Sequence, residues 1–322
     1  MVLDPPAPAR PSRRVVLRAL GAATAGALVD PAGLLAAAAP PPALASLPLL
    51  TKAIPATGER LPVVGMGSWI TFDEPALDLF IAPRVEVLRG FFAMGGALVD
   101  SSPMYGRAEE MIGNCLRPLG RQPGFFPATK VWTPFQALGR RQIADSQRLW
   151  GVEKFSLLQI HNMLAWESHL ETLRGMKAQG RVRYVGITTS HGRRHEAMAE
   201  VIAKEPFDFM QVTYNILDRE AEARLLPLAA ERRVAVIANR PFRRGALIET
   251  FGRRPLPPWA AEIDCRTWPQ FLLKFVVSHP AITCAIPATS RADHMAENMG
   301  AARGRLPDAA MRQRMVRYVE GL

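Results

Sequence analysis

From about residue 50 onward, short apolar runs alternate with longer stretches in which apolar residues recur every three or four positions. The runs cover 63–66, 97–99, 125–129, 155–160, 184–187, 207–212, 234–238 and 282–286. Each is apolar enough for a strand covered on both faces, as in a parallel sheet. Between most of them lie segments of helical period, including 85–94, 109–116, 169–176, 196–203, 223–230 and 271–277. Alternation of this kind predicts a parallel sheet wrapped by helices. Eight such units close into a (β/α)8 TIM barrel, here over residues 46–322. An open doubly wound sheet needs a phosphate-binding glycine turn after its first strand, and Gly65-Met66-Gly67 alone does not make one. Two segments interrupt the rhythm. Residues 50–61, with Gly58 at the tip, predict an N-terminal hairpin plugging one end of the barrel. Residues 240–268, rich in proline and arginine, predict a longer loop after strand seven, on the face that carries a barrel's chemistry.

The first 45 residues follow a different pattern. Arg13 and Arg14 precede a mildly apolar Ala/Gly-rich run over 19–29, and Ala43-Leu44-Ala45 closes a Pro/Ala stretch. Charged region, apolar region and small-residue site in that order make a secretory signal, and paired arginines place it in the twin-arginine class. The run is too short for a membrane span of roughly 20 residues. Cleavage is expected after Ala45, with Ala38 and Ala39 as secondary sites. The expected location is periplasmic or otherwise outside the cytoplasm, with the twin-arginine (Tat) translocase as partner during export and no stable membrane span.

Charge and cysteines narrow the picture further. The net charge of +11 comes from arginines scattered in pairs, with no basic run or aromatic–basic repeat. Nucleic acid is therefore not an expected partner, and the surface instead suits an anionic cofactor or substrate. Three cysteines with no CxxC spacing make neither a disulfide framework nor a metal site. His191 and His195, four apart, are assigned to the surface, and no metal is expected.

The ends of the runs carry the chemistry. The second ends in Asp100, with Tyr105 five residues on; the third ends in Lys130, and the fourth is followed by His161. Singly, each is an ordinary strand-end residue. On three successive barrel strands they converge at one mouth. Tyrosine, with an ordinary pKa of about 10, holds a proton for a carbonyl oxygen that becomes negative on hydride addition. A nearby Lys130 ammonium would stabilise the phenolate and lower that pKa, Asp100 would hold Lys130 charged, and His161 would position the oxygen.

These segments resemble the aldo-keto reductase family. The likeness runs through Gly65–Trp69, Asp100-Ser-Ser-Pro-Met-Tyr105, the segment ending Lys130-Val-Trp132, Leu157–Asn162, Tyr184–Thr189 and Gln211–Asn215, in order. The resemblance implies nicotinamide-dependent hydride transfer to a small-molecule carbonyl, or from an alcohol, with NADP preferred over NAD. It places Thr188, Thr189 and Gln211 at the nicotinamide carboxamide. It places Thr289, Ser290, Arg291 and Asn298 toward the phosphate end, at a helix start where amides favour anions. Trp69 and Trp132 line the substrate mouth. The chain departs from the family at Ala288, where a lysine is usual, and at His294, where an arginine is. It departs again at Asn239, in the place of the ring that stacks on the nicotinamide, with Arg240 following; both are counted among the cofactor residues. Loops 71–81, 132–136 and 240–268 would set the substrate, and a short C-terminal segment implies an open mouth for a bulky or polymeric one. Two other readings stand beside the reductase: an exported nucleotide-binding barrel serving as a partner-binding or regulatory subunit, and a barrel of non-nicotinamide chemistry.

The export signal has a direct test. Replacing Arg13 and Arg14 by lysine is expected to retain the precursor in the cytoplasm, and the exported wild type is expected to begin near Ser46. Efficient export of the double mutant excludes the twin-arginine route.

Overall fold

The computed structural model describes residues 46–322; the expected signal segment, 1–45, lies outside them. Eight strands form one parallel sheet in sequence order: β3 (Met66–Gly67), β4 (Leu98–Asp100), β5 (Phe126–Val131), β6 (Leu157–Ile160), β7 (Tyr184–Thr188), β8 (Phe209–Thr213), β9 (Ala235–Asn239) and β10 (Ile282–Ala285). Parallel bridges Val64↔Ala285 and Gly67↔Ala288 join the first of these to the last and close the barrel. Each apolar run of the sequence has become one of these strands.

The helices between them are α1 (Asp78–Ala93), α2 (Ala108–Leu119), α3 (Gln136–Trp150), α4 (Trp166–Ala178), α5 (His195–Lys204), α6 (Leu225–Glu231), α7 (Ala246–Phe251), α8 (Trp268–Ser278), α9 (Ala292–Gly300) and α10 (Ala309–Glu320). They pack on the outward strand side chains in a continuous apolar shell. Helix α3 has no counterpart among the helical stretches read from the sequence. Its side chains are mostly polar, and few are buried. The loop expected over 71–81 is shorter, because α1 begins at Asp78. The long segment after the seventh barrel strand is not bare loop: it holds α7 and 3-10 turns at Arg243–Gly245 and Pro258–Ile263.

The predicted hairpin forms from β1 (Thr51–Ala53) and β2 (Arg60–Pro62), paired antiparallel with Thr51 opposite Pro62. Gly58 turns it at a φ of +78°, a left-handed conformation that glycine adopts without steric cost. Ile54 and Leu61 from the hairpin pack with Leu98, Phe126, Leu157 and Phe209 in the apolar floor of the barrel. Tyr184 reaches out of that floor to hydrogen-bond Thr57 and Glu59, at 2.8 and 2.6 Å. The hairpin thus closes the N-terminal end, as its sequence predicted. Above the floor the inward positions turn polar, and Gly186 is needed there. A Cβ at that position would lie 3.0 Å from the Gln159 side chain and 3.1 Å from the Phe209 carbonyl.

Candidate active site

Strand alternation carries every second residue inward, so β4 and β5 deliver Asp100 and Lys130 to the barrel axis. Lys130 Nζ donates to Asp100 Oδ2 at 2.5 Å, with both side chains removed from water. A second Lys130 hydrogen goes to the Ser101 carbonyl at 2.8 Å. Asp100 Oδ1 accepts from Gln159 Nε2 at 2.9 Å and Gln211 Nε2 at 3.1 Å. Burial works to discharge the ammonium, but Asp100 and Tyr105 outweigh it and hold Lys130 above the ordinary lysine value.

Tyr105 lies over this pair, its ring centroid 5.0 Å from Lys130 Nζ. On one side stands Trp69, with ring centroids 6.2 Å apart; on the other stands His161, edge-on at 5.5 Å. Burial raises the Tyr105 pKa above 10, and Lys130 offsets that only in part. The lowering expected from Lys130 is therefore present but outweighed, and the phenol keeps its proton firmly. His161 Nδ1 lies 2.7 Å from Ser102 Oγ, which also accepts from the Met104 amide at 3.2 Å. The Ser102 hydroxyl can donate its hydrogen to Nδ1, and in that tautomer the imidazole hydrogen stands on Nε2. Burial, then the Lys130 charge, lowers the His161 pKa to about 2. The ring is neutral at physiological pH, so it can donate a hydrogen bond but is not a store of positive charge.

The four predicted catalytic residues are therefore assembled in one place. The expected carboxamide residues are built in differently. Gln211 is buried and committed to Asp100 and Gln159, which leaves its Nε2 no freedom for a ligand. Above it, Asn239 Nδ2 donates to the Thr189 carbonyl at 3.0 Å, and Asn239 Oδ1 accepts from Thr213 at 2.7 Å. Thr188 accepts from the Asn162 amide at 3.0 Å, and Thr189 donates to the Arg193 carbonyl at 2.5 Å. Arg240 begins the next loop at a φ of +53°, with its Nη1 buried and without a hydrogen-bond partner.

After β10, Thr289 Oγ1 accepts from the Arg291 amide at 3.1 Å, a local turn at the start of α9. Ser290 lies within the same turn, and Asn298 is buried on α9. Arg291 is exposed and paired at two points with Asp293, at 3.0 and 2.5 Å. Trp132 is 42% exposed on the loop after β5, where its amide donates to Gln142 Oε1 at 2.6 Å. Among the described residues no metal-binding cluster of histidines, cysteines or carboxylates occurs. Sequence reading missed Gln159, Ser101 and Ser102. The signal for Gln159 was its place inside the fourth apolar run, two residues before His161, which begins the turn directly after that strand; for Ser102 there was none.

The neutrality of His161 makes acid stability testable. Its folded pKa of about 2 lies below the ordinary 6.5, so below that ordinary value the unfolded chain takes up a proton that the folded chain refuses. This contribution to stability is complete above the unfolded pKa. It declines as pH falls toward the folded one, at up to about 1.4 kcal/mol per pH unit. Replacing His161 with Asn is expected to reduce the slope of unfolding free energy against pH by close to that amount. Urea denaturation between about pH 4 and 6 measures it, and an unchanged slope means that His161 titrates in the folded protein.

The geometry has close parallels. Residues 64–314 match the profile of the "Aldo/keto reductase family". Methylglyoxal reductase YeaE of Escherichia coli (strain K12) is 26% identical over 246 residues, covering 74% of this chain and 84% of that one. The NADH-specific methylglyoxal reductase of the same organism is 26% identical over 232 residues, covering 60% and 68%. Among solved structures, an aldo-keto reductase from Klebsiella pneumoniae in complex with NADP and acetate matches with a TM-score of 0.68 at 22% identity, over 81% of this chain and 92% of that one. A thermostable aldo-keto reductase solved with the inhibitor epalrestat matches with a TM-score of 0.71 at 27% identity, over 84% and 99%. With its family profile matched across the barrel, and with a tyrosine, lysine, aspartate and histidine gathered at the barrel's mouth, this chain belongs to the aldo/keto reductase family.

Proposed function

We propose that the protein is an NAD(P)-dependent carbonyl reductase in which Tyr105 supplies the proton. The observation that carries this reading is the buried Lys130–Asp100 pair directly beneath the Tyr105 ring. A nicotinamide cofactor, when bound, supplies the hydride that reduces the carbonyl carbon. Tyr105 gives its hydroxyl proton to the carbonyl oxygen as negative charge develops there. Lys130, kept charged by Asp100, stabilises the phenolate left behind. His161, neutral with its hydrogen on Nε2, donates to the same oxygen and orients it. A binding-only role is not favoured, since it has no use for a proton donor backed by a buried charge pair.

The cofactor fits the residues present. The unpartnered buried Nη1 of Arg240 is a donor awaiting an acceptor, at the end of the strand beside Asn239. The diphosphate of a dinucleotide would satisfy it. NADP is the proposed form. Arg291 takes the 2′-phosphate by exchanging Asp293 for it, and the helix start at Thr289 and Ser290 adds amide donors. For the substrate we propose a small carbonyl compound, as the names of the methylglyoxal-reducing relatives suggest. We also propose, from residues 1–45, that the enzyme is exported folded by the Tat route to the periplasm with its cofactor bound.

Tyr105→Phe removes the donated proton and little volume. Turnover of an aldehyde is expected to fall by about 10²–10⁴-fold, with the melting temperature little changed. A variant that keeps most of its activity excludes Tyr105 as the acid. Fluorescence titration separates the two arginines. Arg240→Ala is expected to weaken NADPH and NADH alike, because both carry the diphosphate. Arg291→Ala is expected to weaken NADPH about 10-fold or more while NADH barely moves. Equal loss of both cofactors on changing Arg291 removes its 2′-phosphate role. A wild type that binds neither below millimolar concentration overturns the reductase reading.

A further inference from the structure

Two chemically different surfaces face each other across the mouth. The loop after β3 with the start of α1, and the loop after β5 with the start of α3, expose large apolar side chains: Leu77 (53%), Leu79 (66%), Trp132 (42%) and Phe135 (63%). The loops after β7 and β9 are basic instead, with Arg193, Arg240, Arg243 and Arg244.

The basic side is undercompensated. Asp218 is the carboxylate set among these cations, and Arg243 takes both its oxygens, at 2.7 and 2.5 Å. Burial and then the charges of Arg240, Arg193 and Arg244 lower the pKa of His191, which reports a positive field over the loop pair. Arg244 stands at the seam between the two surfaces. Its guanidinium carbon lies 4.9 Å over the Trp69 ring, and that ring is 6.2 Å from the ring of Tyr105. A guanidinium over a ring is held through its charge and keeps its N–H donors for other partners, and no hydrogen bond among the described residues uses those of Arg244. Among the described residues no carboxylate lies within ion-pair distance of Arg244. Its position also separates it from Arg240. Arg240 Nη1 is buried, whereas Arg244 is exposed on the indole beside the proton donor.

We propose that Arg244, held over Trp69, is a specificity-determining residue that receives an anionic group carried by the substrate. The substrates that suit this mouth are aldehydes or ketones with an apolar body and a carboxylate or similar anion. The carbonyl sits at Tyr105, the body lies toward Trp69 and the apolar rim, and the anion meets the N–H donors of Arg244. This inference rests on the reductase reading of the site and adds the substrate class to it.

The test compares 4-carboxybenzaldehyde with benzaldehyde, which share the reacting group and the apolar ring and differ in the anion. The wild type is expected to favour the carboxylated aldehyde in kcat/KM. Arg244→Gln is expected to raise KM for 4-carboxybenzaldehyde by about 10-fold or more, the usual effect of losing a charge-assisted contact. It should leave kcat, the benzaldehyde KM and the NADPH Kd unmoved. Arg244→Lys should recover part of the loss. An equal rise in KM for both aldehydes overturns the proposal, because Arg244 then only shapes the mouth through Trp69. A fall in NADPH affinity also overturns it, because the anion is then the cofactor's own phosphate. Turnover of benzaldehyde without preference for its carboxylated analogue removes the anion anchor and leaves the reductase standing. Failure to reduce either aldehyde or to bind NADPH removes both.

Discussion

A lysine and an aspartate, both removed from water at the centre of the barrel, set the terms for everything above them. Burying either ion alone costs several kcal/mol, and their attraction compensates only if the remaining hydrogen-bonding capacity is also met. Here it is met: Ser101 takes a second lysine hydrogen, and Gln159 and Gln211 fill the free oxygen of Asp100. The layer must therefore carry two amide side chains, and the neighbouring strand must make room for them. Gly186 does so, since any side chain there would press on Gln159 and on the Phe209 backbone. Removing one ion would leave the other unpaired, a loss of about 3–5 kcal/mol in comparable cases. The pair also fixes Gln211: its Nε2 already holds the carboxylate in place, which leaves its Oε1 as the atom with capacity for a ligand.

The barrel was legible in the sequence because its signal is repeated eight times. Every apolar run became a strand with ends displaced by no more than a few residues, and the hairpin expected over 50–61 formed with Gly58 in its turn. What was not legible follows from how side chains meet in space. Helix α3 carries a mostly polar face and lies close to His169 at Gly139, a contact from α4 that no local pattern announces. Ser102 gained meaning only when the chain brought it within 2.7 Å of His161. Arg291, which the resemblance set toward the cofactor's phosphate end, turned to a carboxylate two residues away. The sign of the Tyr105 shift also lay beyond the sequence, because burial, not the lysine, dominates it.

The site divides its electrostatic work by depth. At the bottom a fixed ion pair creates a local field. Next to it are two groups kept uncharged by burial, the Tyr105 phenol and the His161 imidazole, both able to donate a hydrogen bond. At the rim, Arg194, Arg240 and Arg244, on loops with left-handed backbone, hold charge that no ion pair among the described residues neutralises, while Arg243 is paired with Asp218. Such a backbone is uncommon for side chains larger than glycine and persists only where the surroundings enforce it.

The hairpin under the barrel settles a question of traffic. With Ile54 and Leu61 seated in the floor, the N-terminal end of the barrel is stoppered, and reactants come to Tyr105 from the mouth at the C-terminal ends of the strands. Two molecules that react there share that mouth, and one lodged deeper or spread across the threshold would limit the space left to the other. A dinucleotide laid along the rim from Arg240 toward α9 would hold that position, and the smaller reactant would pass over it in both directions. A two-stranded ribbon on the side of the molecule farthest from the chemistry thus confines that traffic to a single face.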